Sequence, residues 1–340
     1  MHDSAKHFSG EPYLIHALEV ASTLASMHLD LDTIISGLLH GALKNGVQFE
    51  ELEEKFGQDV AYIVSGSTRI TSVQYNNRLA SQAENVRKML LAMAKDIRVL
   101  LVRLIDRLQD MLLLDLVDRQ RQIEVARETM DLYAPLASRL GIDWLKRQLE
   151  DYAFRYLYPA EHEDLSLRLE SSLTERQSYV DEMIAILYDK LQQGSVYPSR
   201  ILGRPKHLYS IYKKLVAQNI PLDHVYDRVA FRIVLDSVKE CYEALGTIHA
   251  NWQPVPGRIK DFISVPKANN YQSLHTTVIG PQGDRVEFQI RTRAMHEIAD
   301  HGIAAHWKYK EPGTQDSELD KWIKKIREML EQPNSDAMEF

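Results

Sequence analysis

The feature that most constrains the fold of this chain is a change in hydrophobic periodicity at Gly194. From residue 16 to about residue 193, apolar residues recur at spacings of three and four, and glycine and proline are rare. This spacing is typical of amphipathic α-helices. Beyond Gly194, apolar residues fall into short β-rich runs separated by glycine and proline. The runs are Arg228–Leu235, Lys260–Val265, Leu274–Ile279 and Arg285–Arg291. The pattern predicts an all-α region followed by a mixed α and β region.

The second region is predicted to form a sheet with helices packed on it. The turn-rich segment Gly280–Asp284 joins the last two runs and favours an antiparallel hairpin. Helices are expected over His207–Gln218, Val238–Ile248 and Arg293–His301. In the first region, a long amphipathic helix over Leu173–Leu191 is expected to connect the two parts.

Composition narrows the class of protein. With 340 residues, two or three domains are expected, and 44% hydrophobic with 26% charged residues argues against a disordered scaffold. No apolar run approaches the roughly 18 residues of a membrane span, and the N-terminus lacks the apolar core of a signal peptide, so a cytoplasmic location is expected. The single cysteine, Cys241, excludes an intramolecular disulfide and a cysteine-rich zinc site.

The charge of the chain is unevenly distributed. The whole sequence has 41 Lys+Arg against 48 Asp+Glu, a net charge of −7. Residues 196–310 have 16 Lys+Arg against 10 Asp+Glu, so this segment is +6 and the rest of the chain is −13. A basic segment suits phosphate groups or nucleic acid, and an idle solvated basic face is a common alternative.

The basic segment opens with a candidate polyphosphate site. Arg204 lies in a predicted loop that enters a helix, and the basic and hydroxyl side chains that follow fall within reach of one helix face. Those side chains are Lys206, Ser210, Lys213 and Lys214. The Gly-rich Walker spacing is absent, and an ordinary basic amphipathic helix has the same composition.

Two carboxylates are candidates for a magnesium site. Asp227 stands at the start of an apolar strand that also carries Arg232. Glu287 lies in a strand whose alternation places Glu287, Gln289 and Arg291 on one face. If the two strands are neighbours, Asp227 and Glu287 can share a cation bound to substrate phosphates.

A loop between these carboxylates has the composition of a purine-stacking pocket. Tyr271 is set among amides and cations, with Lys267 and His275 available for phosphates. Loop tyrosines also commonly cover a core, so the loop alone does not decide between the two interpretations.

The motifs of the basic segment resemble the synthetase domain of the RelA/SpoT homologues, which make and degrade the alarmone (p)ppGpp. The resembling motifs are Gly203–Lys206, Tyr226–Asp227, Asn269 with Tyr271–His275, Glu287 with Gln289–Thr292, and Gly302–Trp307. The resemblance implies a nucleotidyltransferase-like mixed-sheet domain. It also implies transfer of the β,γ-pyrophosphate of ATP to the 3′-hydroxyl of GDP or GTP, with release of AMP.

The same resemblance implies roles for individual residues. Asp227 and Glu287 would hold Mg²⁺, with Glu287 as the base near the ribose hydroxyl. Arg204 and Arg232 would sandwich the adenine, and Lys206, Ser210 and Lys214 would serve the ATP site. The acceptor nucleotide would be bound by Lys267, Asn269, Tyr271 and His275, with Tyr271 stacking on guanine.

Two further positions bear on the resemblance. Arg258, Lys260 and Asp261 have the basic form of a motif typical of the bifunctional members. Asn270 replaces the usual glycine and suits a positive φ.

The helical region resembles the HD-type hydrolase domain of the same family. Active members hold Mn²⁺ with two histidines and two aspartates, and a Glu-Asp pair assists the attacking water. His16, His40 and Asp106 match this pattern, but Gly41 replaces the second aspartate and Lys44-Asn45 replaces the Glu-Asp pair. Further departures are His7, Gln109 and Asp110, where Arg, His and Asn are typical. The expectation is a pseudo-hydrolase that has lost its Mn²⁺. It is expected to regulate the synthetase, with a role as a folding partner alone as the alternative.

The expected domains are an inactive HD-type domain over 1–158, a helical connector over 159–195, a synthetase domain over 196–315 and a C-terminal helix over 316–340. The end at residue 340 suggests a fragment of a longer protein, whose further domains would contact the ribosome and uncharged tRNA. Residual (p)ppGpp hydrolysis and a basic nucleic-acid-binding module are the alternative functions.

Overall fold

The fold is described from a computed structural model, which covers residues 6–8, 10–71, 96–170, 173–205, 207–218, 229–267 and 269–302. The described residues fall into two compact units that divide between Ala153 and Phe154.

The first unit is all-α. Its helices are α1 (Tyr13–Ser26), α2 (Leu31–Leu39), α3 (Phe49–Phe56), α4 (Gln58–Thr71), α5 (Arg98–Leu112), α6 (Arg119–Glu128) and α7 (Ala134–Arg139), followed by α8 (Asp143–Leu157), which crosses the division. Short 3₁₀ turns span Leu43–Asn45 and Leu114–Leu116, and a π-helical turn spans Thr129–Tyr133.

Helix α5 is the central element of this unit. Its residues are buried on every side, in contrast to α1, which buries one face and leaves Leu14 and Leu18 exposed. A helix that is buried all round lies inside a bundle, and α5 contacts α1, α2 and α4. Asp106 is therefore carried into the interior by its own helix.

The second unit combines helices with a five-stranded sheet. The helices are α9 (Pro159–Glu170), α10 (Leu173–Gln193), α11 (Leu208–Gln218), α12 (Val238–Asn251) and α13 (Arg293–His301). The strands are β1 (Arg200–Pro205), β2 (Val229–Leu235), β3 (Lys260–Asp261), β4 (Leu274–Ile279) and β5 (Arg285–Thr292). They lie in the order β1-β2-β5-β4-β3, with β2 and β5 parallel and the other pairs antiparallel.

The core of this unit lies on one side of the sheet. Phe231, Phe288 and Ile290 point into it and are fully buried, and the apolar faces of α10 and α12 cover them. Helix α10, expected from the sequence as a connector, therefore contributes to the core of the sheet unit through residues such as Leu187. The opposite face of the central strands is left for polar side chains.

The predicted fold class, an all-α region followed by a mixed sheet, is confirmed. The hairpin between β4 and β5 is also confirmed. The strand predicted over Lys260–Val265 is too long, since β3 ends at Asp261, whose carboxylate accepts the backbone N–H groups of Ile263 at 3.0 Å and Ser264 at 2.9 Å. These bonds turn the chain away from the sheet.

The placement of Arg204 in a loop is wrong, because residues 200–205 form the edge strand β1. Gly203 belongs to this strand for a packing reason: a Cβ atom there would lie 2.2 Å from Cγ1 of Val180 on α10. The glycine lets the strand approach the helix closely.

Several predictions fall on residues outside the described ranges. They include the positions of Lys206 and Asp227, the side chain of Arg204 and the C-terminal helix over 316–340. Among the described helices, none combines the length and the apolar character that a membrane span requires.

Candidate functional sites

The polar face of β5 carries the main candidate site. Glu287, Gln289 and Arg291 lie on this face, opposite the buried Val286 and Phe288. Arg291 Nη2 donates to Gln289 Oε1 at 2.9 Å, and Gln289 Nε2 donates to Glu287 Oε1 at 3.3 Å. This chain of hydrogen bonds orients the Glu287 carboxylate from one side and ties it to a buried guanidinium.

The sheet register brings other predicted residues onto the same face. Gln289 pairs with Arg232 on β2 and with His275 on β4, and His275 pairs with Lys260 on β3. Directly paired residues in neighbouring strands project to the same side of a sheet. Glu287 lies in the adjacent row, between Ala230 and Thr277. Arg232, His275 and Lys260, which were predicted for separate roles, thus lie in one row next to the row of Glu287.

Arg232 is held in place by an ion pair that the sequence did not reveal. Its Nη1 lies 3.0 Å from Oδ1 of Asp300 on α13, and the residue is 7% exposed.

The loop before β4 forms a compact pocket around Tyr271. Its hydroxyl lies 2.8 Å from Nε2 of His275, and Lys267 Nζ and Arg291 Cζ lie 5.5 and 5.6 Å from the centre of its ring. Tyr271 N donates to Asn269 Oδ1 at 3.2 Å, which fixes the turn. Asn270 has φ of +59°, so the expectation of a left-handed residue at this position is confirmed.

His275 is neutral at physiological pH. Burial lowers its pKa to about 4; Glu287 opposes this shift, and the cations Arg291, Lys267 and Lys260 reinforce it. A neutral imidazole surrounded by three cations makes a pocket that favours anions.

Phe262 also lines this pocket, although the sequence motifs did not predict it as a site residue. Its ring packs edge-on against His275, with centroids 5.3 Å apart, and lies 4.9 Å from Lys267 Nζ. The available signal was an aromatic residue directly after the basic motif.

The basic motif itself is partly exposed. Its Arg258 and Lys260 are exposed, whereas the Asp261 carboxylate accepts hydrogen bonds from Tyr242 Oη, at 2.9 Å, and from the turn amides. Asp261 therefore supports the loop that carries Phe262.

The predicted phosphate helix is α11. It carries Ser210 and Lys214, both half-buried. The aromatic residues of the same helix are used for packing, since Tyr212 lies 4.8 Å from Phe154, ring centre to ring centre. Lys213 Nζ lies 4.6 Å from the centre of the Tyr209 ring.

The second candidate site is in the helical unit, where the three family-type ligands converge. His16, His40 and Asp106 are all buried. Asp106 Oδ1 lies 2.8 Å from His16 Nε2 and 3.3 Å from His40 Nε2. The ligand atoms are close enough together to hold a metal ion.

Neighbouring side chains already occupy these ligand atoms. His40 Nδ1 lies 2.6 Å from the carbonyl oxygen of Gly37, so it carries a proton, and Tyr13 Oη lies 2.6 Å from His40 Nε2. Burial, followed by the charge of Asp106, raises the pKa of Tyr13, which keeps its hydroxyl protonated and able to donate. The other oxygen of Asp106 is paired with Arg103. The side-chain atoms of His40 and Asp106 that a metal would use are thus engaged by protein groups.

The ring of Tyr13 occupies the space next to Gly41 into which the missing aspartate side chain would project. A Cβ atom at Gly41 would lie 2.3 Å from three atoms of Tyr13, including its hydroxyl oxygen. Lys44 and Asn45 lie in the adjoining 3₁₀ turn, and the charge of Lys44 interacts with Arg103 and Asp106. No carboxylate is supplied by this turn.

Comparison with known proteins decides the family. Residues 1–143 match the HD domain, and residues 203–314 match the region found in RelA/SpoT proteins. The chain is a RelA/SpoT homologue.

Two curated relatives align with 100% of the chain of this RelA/SpoT homologue. A protein named GTP pyrophosphokinase from Myxococcus xanthus is 47% identical, and 46% of its length is covered. A bifunctional (p)ppGpp synthase/hydrolase, SpoT, from Escherichia coli strain K12 is 39% identical, and 49% of its length is covered. The chain spans about half the length of these curated relatives.

Among solved structures, small alarmone synthetase 1 from Bacillus subtilis, bound to its product pppGpp, aligns with 48% of the RelA/SpoT homologue. The alignment covers 91% of that chain, with 23% sequence identity and a TM-score of 0.34.

The three departures in the helical unit of this RelA/SpoT homologue have specific contacts. His7 Nε2 lies 3.0 Å from Asp110 Oδ1, and the His7 ring stacks on His16 at 4.1 Å between ring centres. Gln109 Nε2 donates to Thr23 Oγ1 at 3.1 Å.

Proposed function

We propose that the chain transfers the β,γ-pyrophosphate of ATP to the 3′-hydroxyl of GDP or GTP and releases AMP. The observation that carries this proposal is the position of Glu287, a carboxylate on a sheet face beside an aromatic and cationic pocket. In the transfer, the bond between the 3′-oxygen and the β-phosphorus forms, and the bond from that phosphorus to the oxygen that leaves with AMP breaks. The hydroxyl proton passes to Glu287.

The pocket around Tyr271 is proposed to bind the acceptor nucleotide. Tyr271 offers a ring for stacking on guanine, and Phe262 supports that ring from its edge. Lys267 and the neutral His275 lie where they can contact phosphates, and Asn269 shapes the turn. The donor nucleotide is assigned to the β2 side of Glu287, where Arg232 lies in the row next to it. Arg204, Lys206, Ser210 and Lys214 are the further residues that the family resemblance gives to the ATP site.

Glu287 also suits a magnesium ion that is bound to the ATP phosphates. Carboxylate oxygens are the ligands that Mg²⁺ prefers, and Gln289 orients the Glu287 carboxylate by donating to its Oε1. With Asp227 as the second ligand, the ion would neutralise charge on the phosphates during transfer.

Product formation tests the proposed reaction. The chain is incubated with ATP, GDP and Mg²⁺, and nucleotides are separated by anion-exchange chromatography. Equal amounts of AMP and of GDP carrying a 3′-pyrophosphate are expected. ATP consumption that yields ADP and phosphate instead would contradict pyrophosphate transfer.

We further propose that the helical unit is a pseudo-hydrolase. Support comes from the engaged lone pairs of His40 and Asp106 and from the Tyr13 ring in the place of a carboxylate at position 41. Hydrolysis of ppGpp is the second candidate function, because His16, His40 and Asp106 still converge and one relative carries a bifunctional name. Incubation of ppGpp with the chain and Mn²⁺ distinguishes the two: release of pyrophosphate that is lost in Asp106→Asn would contradict the pseudo-hydrolase.

A regulatory role is proposed for the retained helical unit. Comparing synthesis by the whole chain and by a truncated chain tests this role. The truncation should begin at Asp143, so that α8 stays whole and Phe154 keeps its packing on Ile211. A changed rate in the folded truncated protein supports regulation, and an unchanged rate contradicts it.

A further inference from the structure

Helix α13 is tied to the two central strands of the sheet. It begins at Arg293, directly after β5 ends at Thr292, whose side chain accepts the N–H of Met295 at 3.3 Å. Met295 and Ala299 are buried, and the helix contacts both β5 and β2. Because no loop separates β5 from α13, the position of the helix follows that of the strand that carries Glu287.

Two ion pairs join α13 to β2 and to the residue that follows it. At the start of the helix, Arg293 Nε lies 2.7 Å from Asp236 Oδ1, and both side chains are more than half exposed. Two turns later, Asp300 Oδ1 lies 3.0 Å from Nη1 of Arg232, whose side chain is only 9% exposed. Exposed ion pairs contribute little, whereas a charged hydrogen bond to a buried guanidinium fixes its orientation. The pair of Asp300 is therefore the one that fixes a side chain on the polar face.

The contacts of the Asp300 carboxylate leave part of Arg232 unused. The second carboxylate oxygen lies 3.5 Å from Nδ1 of His296, one turn earlier on the same helix. Arg232 Nε is buried and has no hydrogen-bond partner among the residues that the structure describes. A buried donor without a partner costs free energy, so an acceptor atom of a ligand would be favourable there. Asp300 thus holds the guanidinium through Nη1 and leaves Nε for another acceptor.

Arg232 and the Tyr271 pocket lie on opposite sides of β5. Arg232 is in β2 and pairs with Gln289, whereas Tyr271 comes directly before β4, the other neighbour of β5. An arginine side chain that is free in solution loses rotamer freedom when it binds a ligand. A guanidinium that is already held by the protein avoids part of this cost, which strengthens binding.

We propose that Asp300 is a positioning residue for the donor nucleotide: it holds Arg232 in the conformation that binds ATP and does not itself contact the substrate. The inference rests on the proposed function, which assigns ATP to the β2 side of Glu287. Because Asp300 acts through Arg232, its loss should affect the donor nucleotide and spare the acceptor.

Nucleotide binding by the whole chain tests this role without depending on turnover. Calorimetry in the presence of Mg²⁺ measures the affinity for an ATP analogue with a methylene group between the α- and β-phosphorus atoms, which cannot transfer pyrophosphate. The affinity for GDP is measured separately. Asp300→Asn should weaken binding of the analogue by about 5–10-fold, because Arg232 must then be ordered on binding, and should leave the affinity for GDP unchanged.

Three further variants separate positioning from a structural role. Asp236→Asn is the matched control, because the same substitution breaks the exposed ion pair at the start of α13; both affinities should stay unchanged. In an Arg232→Gln background, Asp300→Asn should cause no further loss for the analogue. Asp300→Glu keeps the carboxylate and should bind the analogue more tightly than Asp300→Asn does.

Unchanged or tighter binding of the analogue by a folded Asp300→Asn variant would overturn the inference and leave the proposed reaction intact. An equal loss for GDP would also overturn it, since a general loosening of α13 affects both nucleotides. Absence of analogue binding by the unsubstituted chain would instead contradict the assignment of the donor site, and the inference with it.

Folding of the variants is checked by circular dichroism. The side chain of Asp300 is 33% exposed, so Asp300→Asn is expected to fold. If it does not, Asp300→Glu decides, because the displaced carboxylate should weaken binding of the analogue and leave that of GDP unchanged. Unchanged analogue binding by Asp300→Glu would then contradict the positioning role.

Discussion

Gly41 and Tyr13 illustrate how one missing side chain changes the chemistry of a site. The resemblance to the hydrolase domain identified the missing aspartate, but only the structure places the Tyr13 ring in the vacated volume. A tertiary contact between two helical segments leaves no local pattern in the sequence. The same holds for the ion pair of Arg232 with Asp300, two residues that are 68 positions apart.

The contact between Gly41 and Tyr13 gives the first prediction. Gly41→Ala should lower the free energy of unfolding by about 1 kcal/mol, because the new methyl group displaces the Tyr13 ring and breaks its hydrogen bond to His40. Urea unfolding measures the cost. In a Tyr13→Ala background the same substitution should cost much less, and an equal cost in both backgrounds would contradict the contact.

Asn270 gives a second prediction at the residue scale. Its φ of +59° is a conformation that costs most non-glycine residues about 1–2 kcal/mol. Asn270→Ala should therefore destabilise the sheet unit by about 1 kcal/mol, whereas Asn270→Gly should be close to neutral. Chemical denaturation of the three proteins checks the order, and an Ala variant as stable as the Gly variant would be inconsistent with a left-handed residue.

At the scale of elements, local patterns predicted the strands whose residues alternate. Strand β5 is the clearest case, because its period of two fixed the faces of Glu287 and Phe288 before any contact was known. Strand β1 was missed, since Gly203 and Pro205 are poor strand formers. Proline is tolerated there because β1 lies at the edge of the sheet.

The close approach of β1 to α10 predicts that a methyl group added at Gly203 lowers the stability of the sheet unit. Gly203→Ala should destabilise the sheet unit by about 1–3 kcal/mol, because its Cβ would meet Val180 Cγ1 at 2.2 Å. Val180→Ala creates space at the same contact. The double variant should therefore recover part of the loss in thermal unfolding, and strict additivity of the two substitutions would contradict the proposed clash.

The burial of His275 between β3 and β5 predicts a dependence on pH. The unfolded chain binds a proton at His275 near pH 6.5, whereas the folded protein does so at about pH 4. The free energy of unfolding should therefore fall as the pH drops through this window, by up to about 3 kcal/mol from this group. Urea titrations at pH 7 and pH 4.5 should show a smaller loss for His275→Gln than for the unsubstituted chain. Equal losses would show that His275 is not buried in its neutral form.

At the scale of the whole molecule, the motifs of the basic segment and the helical periodicity were enough to predict the fold class and the family. The resemblance also selected residues that the sheet register brings onto one face, namely Arg232, Lys260, His275 and Glu287. It did not select Phe262 or Asp300, because their roles arise from packing and pairing with residues far away in the sequence.

The polar groups of the two units indicate different roles for them. The helical unit presents a buried cluster of histidine, carboxylate and guanidinium groups that bond to one another, and the sheet unit presents a carboxylate beside cations and an aromatic pocket. The proposed activity is thus assigned to the sheet unit.

The polar face of β5 is proposed to transfer pyrophosphate, and a comparison of two Glu→Gln variants tests this. Glu287→Gln keeps the shape of the side chain but removes the proposed base and metal ligand; Glu243→Gln makes the same change on the exposed side of α12. Formation of AMP from ATP, GDP and Mg²⁺ is measured for both and for the unsubstituted chain. We expect a loss of at least about 100-fold for Glu287→Gln and near-normal rates for Glu243→Gln. Near-normal AMP formation by a folded Glu287→Gln variant would contradict pyrophosphate transfer at this face.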